Sequence, residues 1–275
     1  MKHQKKIALI NDVTGYGRCS VAVELPIISA LKIQACVLPT AILSVHTGFP
    51  TYYIDDYTDR MKAYMENWKE NNLLFDGILT GFLGSVRQIE LVLDFLRTFK
   101  KQHTTVIVDP VMGDYGKLYS SYTEEMCCGI RQLLPYADVI TPNLTEACRL
   151  LQIPYPDGGH ITPAELHDMA EALSALGPEK MVITGIHCVE DIGNYIYEYG
   201  TEPQLLQTKK IGGDRSGTGD VFAGIVSGIV VQGRPLTEAV RTAADFIVKT
   251  MAYTEELHLP HNCGLAFEEF LTELK

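Results

Sequence analysis

Short apolar runs recur along this chain, and each is followed by a polar turn, usually one that carries glycine. The runs are Ile7-Ala8-Leu9-Ile10, Ala35-Cys36-Val37-Leu38, Gly77-Ile78-Leu79, Val106-Ile107-Val108, Val139-Ile140 and Met181-Val182-Ile183. Helical patterns separate them. One runs from about 19 to 31. In another, Val86, Ile89, Leu93 and Leu96 fall on one face, and in a third Leu236, Val240, Ala243 and Ile247 do so. Runs this short and this apolar read as strands buried on both sides, and their alternation with helices predicts a mostly parallel sheet between two helical layers. A late pair, Tyr195-Ile196-Tyr197 and Leu205-Leu206, bridged by Gly200 and Pro203, reads as antiparallel. The stretch 154–163 reads as a surface connection, so a single domain over 1–275 is expected.

In a sheet of this kind ligands bind beyond the carboxyl ends of the strands. The turns found there are Asn11-Asp12-Val13-Thr14-Gly15-Tyr16-Gly17, Ser44-Val45-His46-Thr47-Gly48-Phe49, Thr80-Gly81-Phe82-Leu83-Gly84, Asp109-Pro110-Val111-Met112-Gly113-Asp114, Thr141-Pro142-Asn143-Leu144-Thr145-Glu146 and Thr184-Gly185. Polar turns are ordinary one at a time; six on one rim predict a site. The segment Asp214-Arg215-Ser216-Gly217-Thr218-Gly219-Asp220 adds an anion-type turn that opens an apolar helix. Glycines let backbone amides approach an anion closely, and a helix start points its amides outward. Asp220 in the same turn reads either as a helix cap or as the carboxylate that takes a hydroxyl proton in phosphoryl transfer. A P-loop kinase is disfavoured, because no G-x-x-x-x-G-K-[ST] run occurs.

Net charge is −11, from 34 acidic and 23 basic residues. That sign argues against general binding to nucleic acid or to anionic membranes. The seven cysteines are scattered, with neither C-x-x-C nor zinc spacing, and read as reduced thiols; Cys127 and Cys128, adjacent on a helix, point in different directions. The basic start, Met1 to Lys6, precedes an apolar stretch too short for a signal-peptide core, and no apolar run is long enough to span a membrane, so a cytoplasmic location is expected.

Taken in order, His46-Thr47-Gly48-Phe49, Thr80-Gly81-Phe82-Leu83-Gly84, the Asp109 and Thr141 turns, and Gly217-Thr218-Gly219-Asp220 resemble the ribokinase-like superfamily and, within it, the pyridoxal kinase family. The resemblance covers about residues 5 to 255. It implies a three-layer α/β/α ribokinase-like fold, a homodimer, and ATP-dependent phosphorylation of the 5′-hydroxymethyl group of a vitamin B6 vitamer.

The resemblance also implies roles. Asp220 becomes the catalytic base, and Gly217, Thr218 and Gly219 an anion hole for the transferring phosphoryl group. Asp109 and Glu146 become the acids linked to Mg²⁺, which keeps several waters and needs few carboxylates. Thr141 and Asn143 would meet the phosphates or a monovalent cation such as K⁺, with Thr184 near the phosphates or ribose. His46 and Thr47 would lie near the pyridine ring, with Tyr16, Leu43 and Phe82 packed on its faces. The stretch 112–116 reads as a flexible lid over the nucleotide or as a plain surface loop.

Two positions depart from the pattern. Where many pyridoxal kinases carry a ring-contacting Ser, this chain has Asn11-Asp12, either of which can hydrogen-bond a pyridine nitrogen or phenolic oxygen. A related branch that phosphorylates hydroxymethylpyrimidine has Cys before its Gly-Thr-Gly-Asp; here it is Ser216. Asp12 with Gly15 and Gly17 is nevertheless similar to the start of hydroxymethylpyrimidine kinases, which are the alternative reading. A sugar acceptor would want more paired Asp and Asn near the first two strands. A non-enzymatic B6-binding regulator would have no need of the intact Gly217–Asp220 turn.

Overall fold

The computed structural model describes residues 3–274. Along the chain run β1 (Lys6–Tyr16), α1 (Val21–Ala30), β2 (Gln34–Val45), β3 (Ile54–Asp56), α2 (Thr58–Glu70), β4 (Gly77–Thr80), α3 (Val86–Phe99) and β5 (Thr105–Val108). The two-residue strands β6 (Gly113–Asp114) and β7 (Lys117–Leu118) follow, then α4 (Glu124–Arg131), β8 (Val139–Ile140), α5 (Leu144–Leu151) and α6 (Pro163–Ser174). The chain closes with β9 (Lys180–Cys188), β10 (Asp191–Glu198), β11 (Gln204–Lys209), α7 (Thr218–Val231) and α8 (Leu236–Glu256).

Nine strands form one sheet in the order β11-β10-β9-β8-β5-β4-β1-β2-β3. The six central strands, β9 to β2, are parallel; β3 on one edge and β10 on the other run against them, and β11 pairs antiparallel with β10. Strand side chains alternate between faces, and both faces are dry here. Ala8, Ile10, Ile78, Val106, Val108 and Ile140 pack under α2 to α6, whereas Ile7, Leu9, Leu79, Ile107 and Val139 pack under α1, α7 and α8. Every central strand is therefore apolar at consecutive positions, which is why the runs in the sequence look continuous rather than alternating.

Three expectations change. First, β1 and β2 run on to Tyr16 and Val45, so Asn11, Asp12, Tyr16 and Leu43 lie in strands rather than in loops. Pro39 looks like a strand breaker, but it pairs with Asn11 where the register slips between Asn11 and Val13, a bulge that tolerates proline. Second, β9 extends through Thr184 and Gly185 to pair with β10. Third, residues 54–70, read without any element, form β3 and α2; α2 buries only Thr58, Met61 and Met65, too narrow a stripe to announce itself. All seven cysteines are free, and Cys127 is buried while its neighbour Cys128 is exposed. No helix among the described residues is long and apolar enough to cross a membrane.

Candidate active site

The carboxyl ends of β5, β8 and β9, the β6–β7 hairpin and the start of α7 enclose a cavity of about 390 Å³. Asp109, Thr141, Asn143, Glu146, Thr184, Gly217, Thr218, Gly219 and Asp220 all line it. They come from four turns that are far apart in sequence and converge on one rim.

The α7 turn requires glycine at its first position. Gly217 has φ 78°, and a Cβ there would lie 1.8 Å from the Arg18 carbonyl oxygen. A Cβ on Gly219 would meet nothing within 4 Å, so the turn is open on that side. The first amides of a helix have no carbonyl partner within it, and they carry the positive end of its dipole. The turn is held from behind. Arg215 is buried, donates to Glu255 at 2.8 Å and to the Leu259 and Pro260 carbonyls at 2.9 and 3.2 Å, and its own carbonyl accepts from the Thr218 hydroxyl at 2.9 Å. Arg215 carries no functional pattern in the sequence; its partners lie about 40 residues away.

Carboxyls crowd the floor. Burial pushes Asp109 up to about 8, with the Asp220 charge adding to it and the Thr141 hydroxyl, donating at 3.1 Å, opposing it. Burial likewise raises Asp220 to about 6, helped by Asp12; the Ser20 amide and the Asn11 side chain favour its charged form and limit the rise. Glu146 is held well above the ordinary carboxylate range by burial and by Asp109. Among the described residues Asp109, Glu146 and Asp220 form no ion pair, although Lys209, Lys210 and Arg215 line other parts of the cavity, so the acids suit a small divalent cation that shares its charge with bound phosphates. No group of three or more metal-ligating side chains occurs among the described residues; Mg²⁺, which keeps much of its water, needs no such cage.

Asn143 and Glu146 are more committed than the sequence suggests. They form a capping box at the start of α5: Glu146 accepts from the Asn143 amide at 2.8 Å, and Asn143 accepts from the Glu146 amide at 3.0 Å. The second oxygen of Glu146 takes the Met112 amide at 3.1 Å, and the Asn143 side chain donates to the Gly113 carbonyl at 2.8 Å. Both residues thus anchor the 112–118 segment. That segment is a tight hairpin rather than a slack loop. Tyr115 and Gly116 take φ 50° and 76°, the two-residue turn that matches strand twist. The Tyr115 hydroxyl donates to Asp214 at 2.5 Å, tying the hairpin to the α7 turn across the cavity mouth. Ile211, Ile247, Val248 and Met251 give the cavity an apolar wall. The α8 periodicity was visible in sequence, but not that its edge faces a cavity.

None of the seven residues expected around an aromatic substrate lines this cavity; of them, Asn11 and Asp12 act on Asp220. Asn11 is buried; its oxygen accepts from the Asp12 and Phe82 amides, both at 2.9 Å, and its nitrogen donates to Glu24 at 3.1 Å. Asp12 is buried, raised by that burial, and accepts from Thr14 and Ser20 at 2.7 and 2.6 Å. His46 accepts from the Gly48 amide at 3.1 Å through Nδ1, so its Nε2 carries the proton and donates to the Asn262 carbonyl at 2.8 Å. Both ring nitrogens are thereby used within the protein, and His46 fastens the loop after β2 to residues near the C-terminus. The His46 and Phe49 rings meet edge to face at 4.8 Å. Tyr16 and Thr47 are exposed, Leu43 is buried and Phe82 is half-buried, so Tyr16, Thr47 and Phe82 are the members with surface to offer a ring.

The family model for phosphomethylpyrimidine kinase matches residues 25–265. A pyridoxal kinase of Arabidopsis thaliana is 34% identical over 197 residues, 67% of this chain and 61% of that protein, so the match spans about three fifths of the relative's length. A hydroxymethylpyrimidine/phosphomethylpyrimidine kinase of Haemophilus influenzae is 32% identical over 178 residues, covering 63% of this chain and 64% of that one. Among solved structures, a putative phosphomethylpyrimidine kinase of Bacteroides thetaiotaomicron, crystallised with pyridoxal, superposes with TM-score 0.95 at 36% identity over 99% of this chain and 96% of that one.

Proposed function

The chain belongs to the phosphomethylpyrimidine kinase family of ribokinase-like enzymes, with pyridoxal kinases among its relatives, and on that premise we propose that it transfers the γ-phosphoryl group of ATP to the 5′-hydroxymethyl group of a vitamin B6 vitamer. The observation that carries this reading is the α7 turn, where helix-start amides and the Asp220 carboxyl border a cavity of about 390 Å³.

In this reading the triphosphate lies along Thr141, Thr184 and the α7 turn, with the base against Ile211, Ile247, Val248 and Met251. The vitamer lies on the β1–β2 side, its ring near Tyr16, Thr47 and Phe82 and its hydroxyl against Asp220. The hydroxyl proton passes to Asp220, the hydroxyl oxygen bonds to the γ-phosphorus, and the β–γ bridging oxygen leaves with ADP. Amides of Gly217, Thr218 and Gly219 hold the equatorial oxygens as charge moves across them. Asp109, directly or through water, and Glu146, through water, would hold Mg²⁺, and the bound ion would neutralise charge on the phosphates. Thr141 and Asn143 are the residues assigned to a K⁺-type cation. The reading includes a cytoplasmic homodimer; the exposed Ile42, Tyr53 and Ile54 at the β2–β3 edge support a pairing surface.

The second reading, a hydroxymethylpyrimidine kinase, is favoured by the family model and the Haemophilus influenzae relative. A coupled ADP-release assay on pyridoxal, pyridoxine, pyridoxamine and hydroxymethylpyrimidine, side by side, separates the two. Turnover on at least one B6 vitamer, exceeding that on hydroxymethylpyrimidine, is expected. Turnover on hydroxymethylpyrimidine alone selects the second reading, and turnover on none removes both.

A further inference from the structure

Glu24 has no part in the chemistry above, yet it is an acid only 1% exposed, placed inside an apolar helix. Its position is set by two helices in close contact. Gly224 lies one turn beyond Asp220 on α7, and a Cβ there would come within 3.5 Å of the Glu24 backbone, so α1 delivers Glu24 to the layer beneath Asp220. One Glu24 oxygen accepts from Asn11 at 3.1 Å; the other, buried, has no hydrogen-bond partner. Leaving such an atom unpaired is costly unless the arrangement serves another group.

That other group is reached through Asn11. The Asn11 oxygen already takes two backbone amides, from Asp12 and Phe82. Gly81 seals the other side, since a Cβ there would stand 2.4 Å from the Asn11 nitrogen. The Asn11 nitrogen donates to Glu24, and the same side chain favours the charged form of Asp220. With two amides donating to its oxygen and Glu24 accepting from its nitrogen, only one flip state satisfies Asn11. We propose that Glu24 is a positioning residue for phosphoryl transfer: by accepting from Asn11 it locks that amide in the orientation that supports the Asp220 carboxylate. The inference rests on the reading of Asp220 as the base. Burial, together with the Asp220 charge, drives Glu24 far above the usual carboxylate range, with Asp109 and Asp12 adding to it. A neutral acid still accepts through its carbonyl oxygen, and it leaves Asp220 as the charged member of the pair.

Two variants test this, Glu24→Leu, which fills the space, and Glu24→Gln, which keeps the acceptor; Glu24→Ala replaces the first should Leu not fold. Two readouts are taken: steady-state kinetics, and the Asp220 titration in the ligand-free protein by carboxyl ¹³C NMR, assigned with Asp220→Asn. In E24L we expect kcat to fall about ten- to a hundredfold, the scale of one lost buried hydrogen bond to a charged group. We also expect KM values within about twofold and the Asp220 titration displaced upward, while E24Q restores most of kcat and the wild-type titration. An E24L protein with unchanged Asp220 titration would make Glu24 mere filling and overturn the inference. So would a downward displacement in E24Q, which would mean that Glu24 acts as a charge. If the wild type phosphorylates no vitamer but the titrations move as described, the kinase reading falls and the Glu24–Asn11–Asp220 arrangement stands.

Discussion

The two sides of Asp220 are built on opposite principles. On the α7 side the protein leaves donors free: Gly219 faces open space, the helix amides have no partners within the helix, and the cavity walls stand apart. On the β1–β2 side nearly every polar group is already answered from within, Asn11 by Glu24 and two amides, Asp12 by Thr14 and Ser20, His46 by Gly48 and Asn262. The first side is prepared for a charged ligand that brings its own acceptors. The second is a rigid frame that can hold a flat ring by shape and apolar contact, with few polar contacts to spare. A phosphate chain common to all nucleotides needs the former; choosing among similar rings suits the latter.

The comparison can be broken most severely at its hinge. Asp220→Ala should lower turnover by about two or more orders of magnitude while nucleotide affinity, measured by calorimetry, stays close to wild type. Near-normal turnover would remove Asp220 from the role of base. Next in size is Gly217→Ala. A left-handed φ and a 1.8 Å approach to Arg18 cannot be relieved together, so a destabilisation of about 2–5 kcal/mol is expected in chemical denaturation. A wild-type midpoint would show that the turn is less tightly specified than its geometry implies.

Asp109→Asn sharpens the electrostatic half. In kinetics the variant should need about tenfold more Mg²⁺. In the ligand-free protein the sign is fixed by linkage. Asp109 is raised by burial to about 8, from an ordinary value near 3.8. From roughly pH 4 to 8 the unfolded chain has lost that proton and the folded one keeps it, so stability falls as pH rises. Removing the acid should flatten that decline, and the melting-temperature gap between variant and wild type should widen over that window. A gap that does not change with pH would show Asp109 to be unshifted.

The smallest effect is expected at His46. If it fastens its loop, His46→Ala should raise KM for pyridoxal, pyridoxine and pyridoxamine by a common factor of about three to ten. Factors that differ sharply among the vitamers would mean direct ring contact and would undo the contrast between the two sides.

Much of the α7 side is legible in sequence because its signals are local. Strand ends, glycines and the Gly217–Asp220 turn each lie within a few residues, and once the layers are inferred from alternating runs they must meet on one rim. The β1–β2 side is less legible because its bonds are distant. His46 is held by a residue 216 positions away, and Glu24 looks like an ordinary exposed helix acid until α1 is seen to cross α7 at Gly224. The capping box on α5 is an intermediate case. Asn143 and Glu146 stand at the right spacing for it, and the same two residues also suit a phosphate contact and a metal-linked acid, so spacing alone does not say which use prevails.

The most direct measurement is a crystal structure of the complex with a non-hydrolysable ATP analogue, Mg²⁺ and pyridoxal. The account predicts the terminal phosphoryl group hydrogen-bonded to the amides of Thr218 and Gly219, the vitamer hydroxyl in contact with Asp220, and the Asn11 amide still donating to Glu24. A terminal phosphoryl group seated away from the α7 turn, or a ring bound on the far side of the β6–β7 hairpin from Asp220, would contradict it.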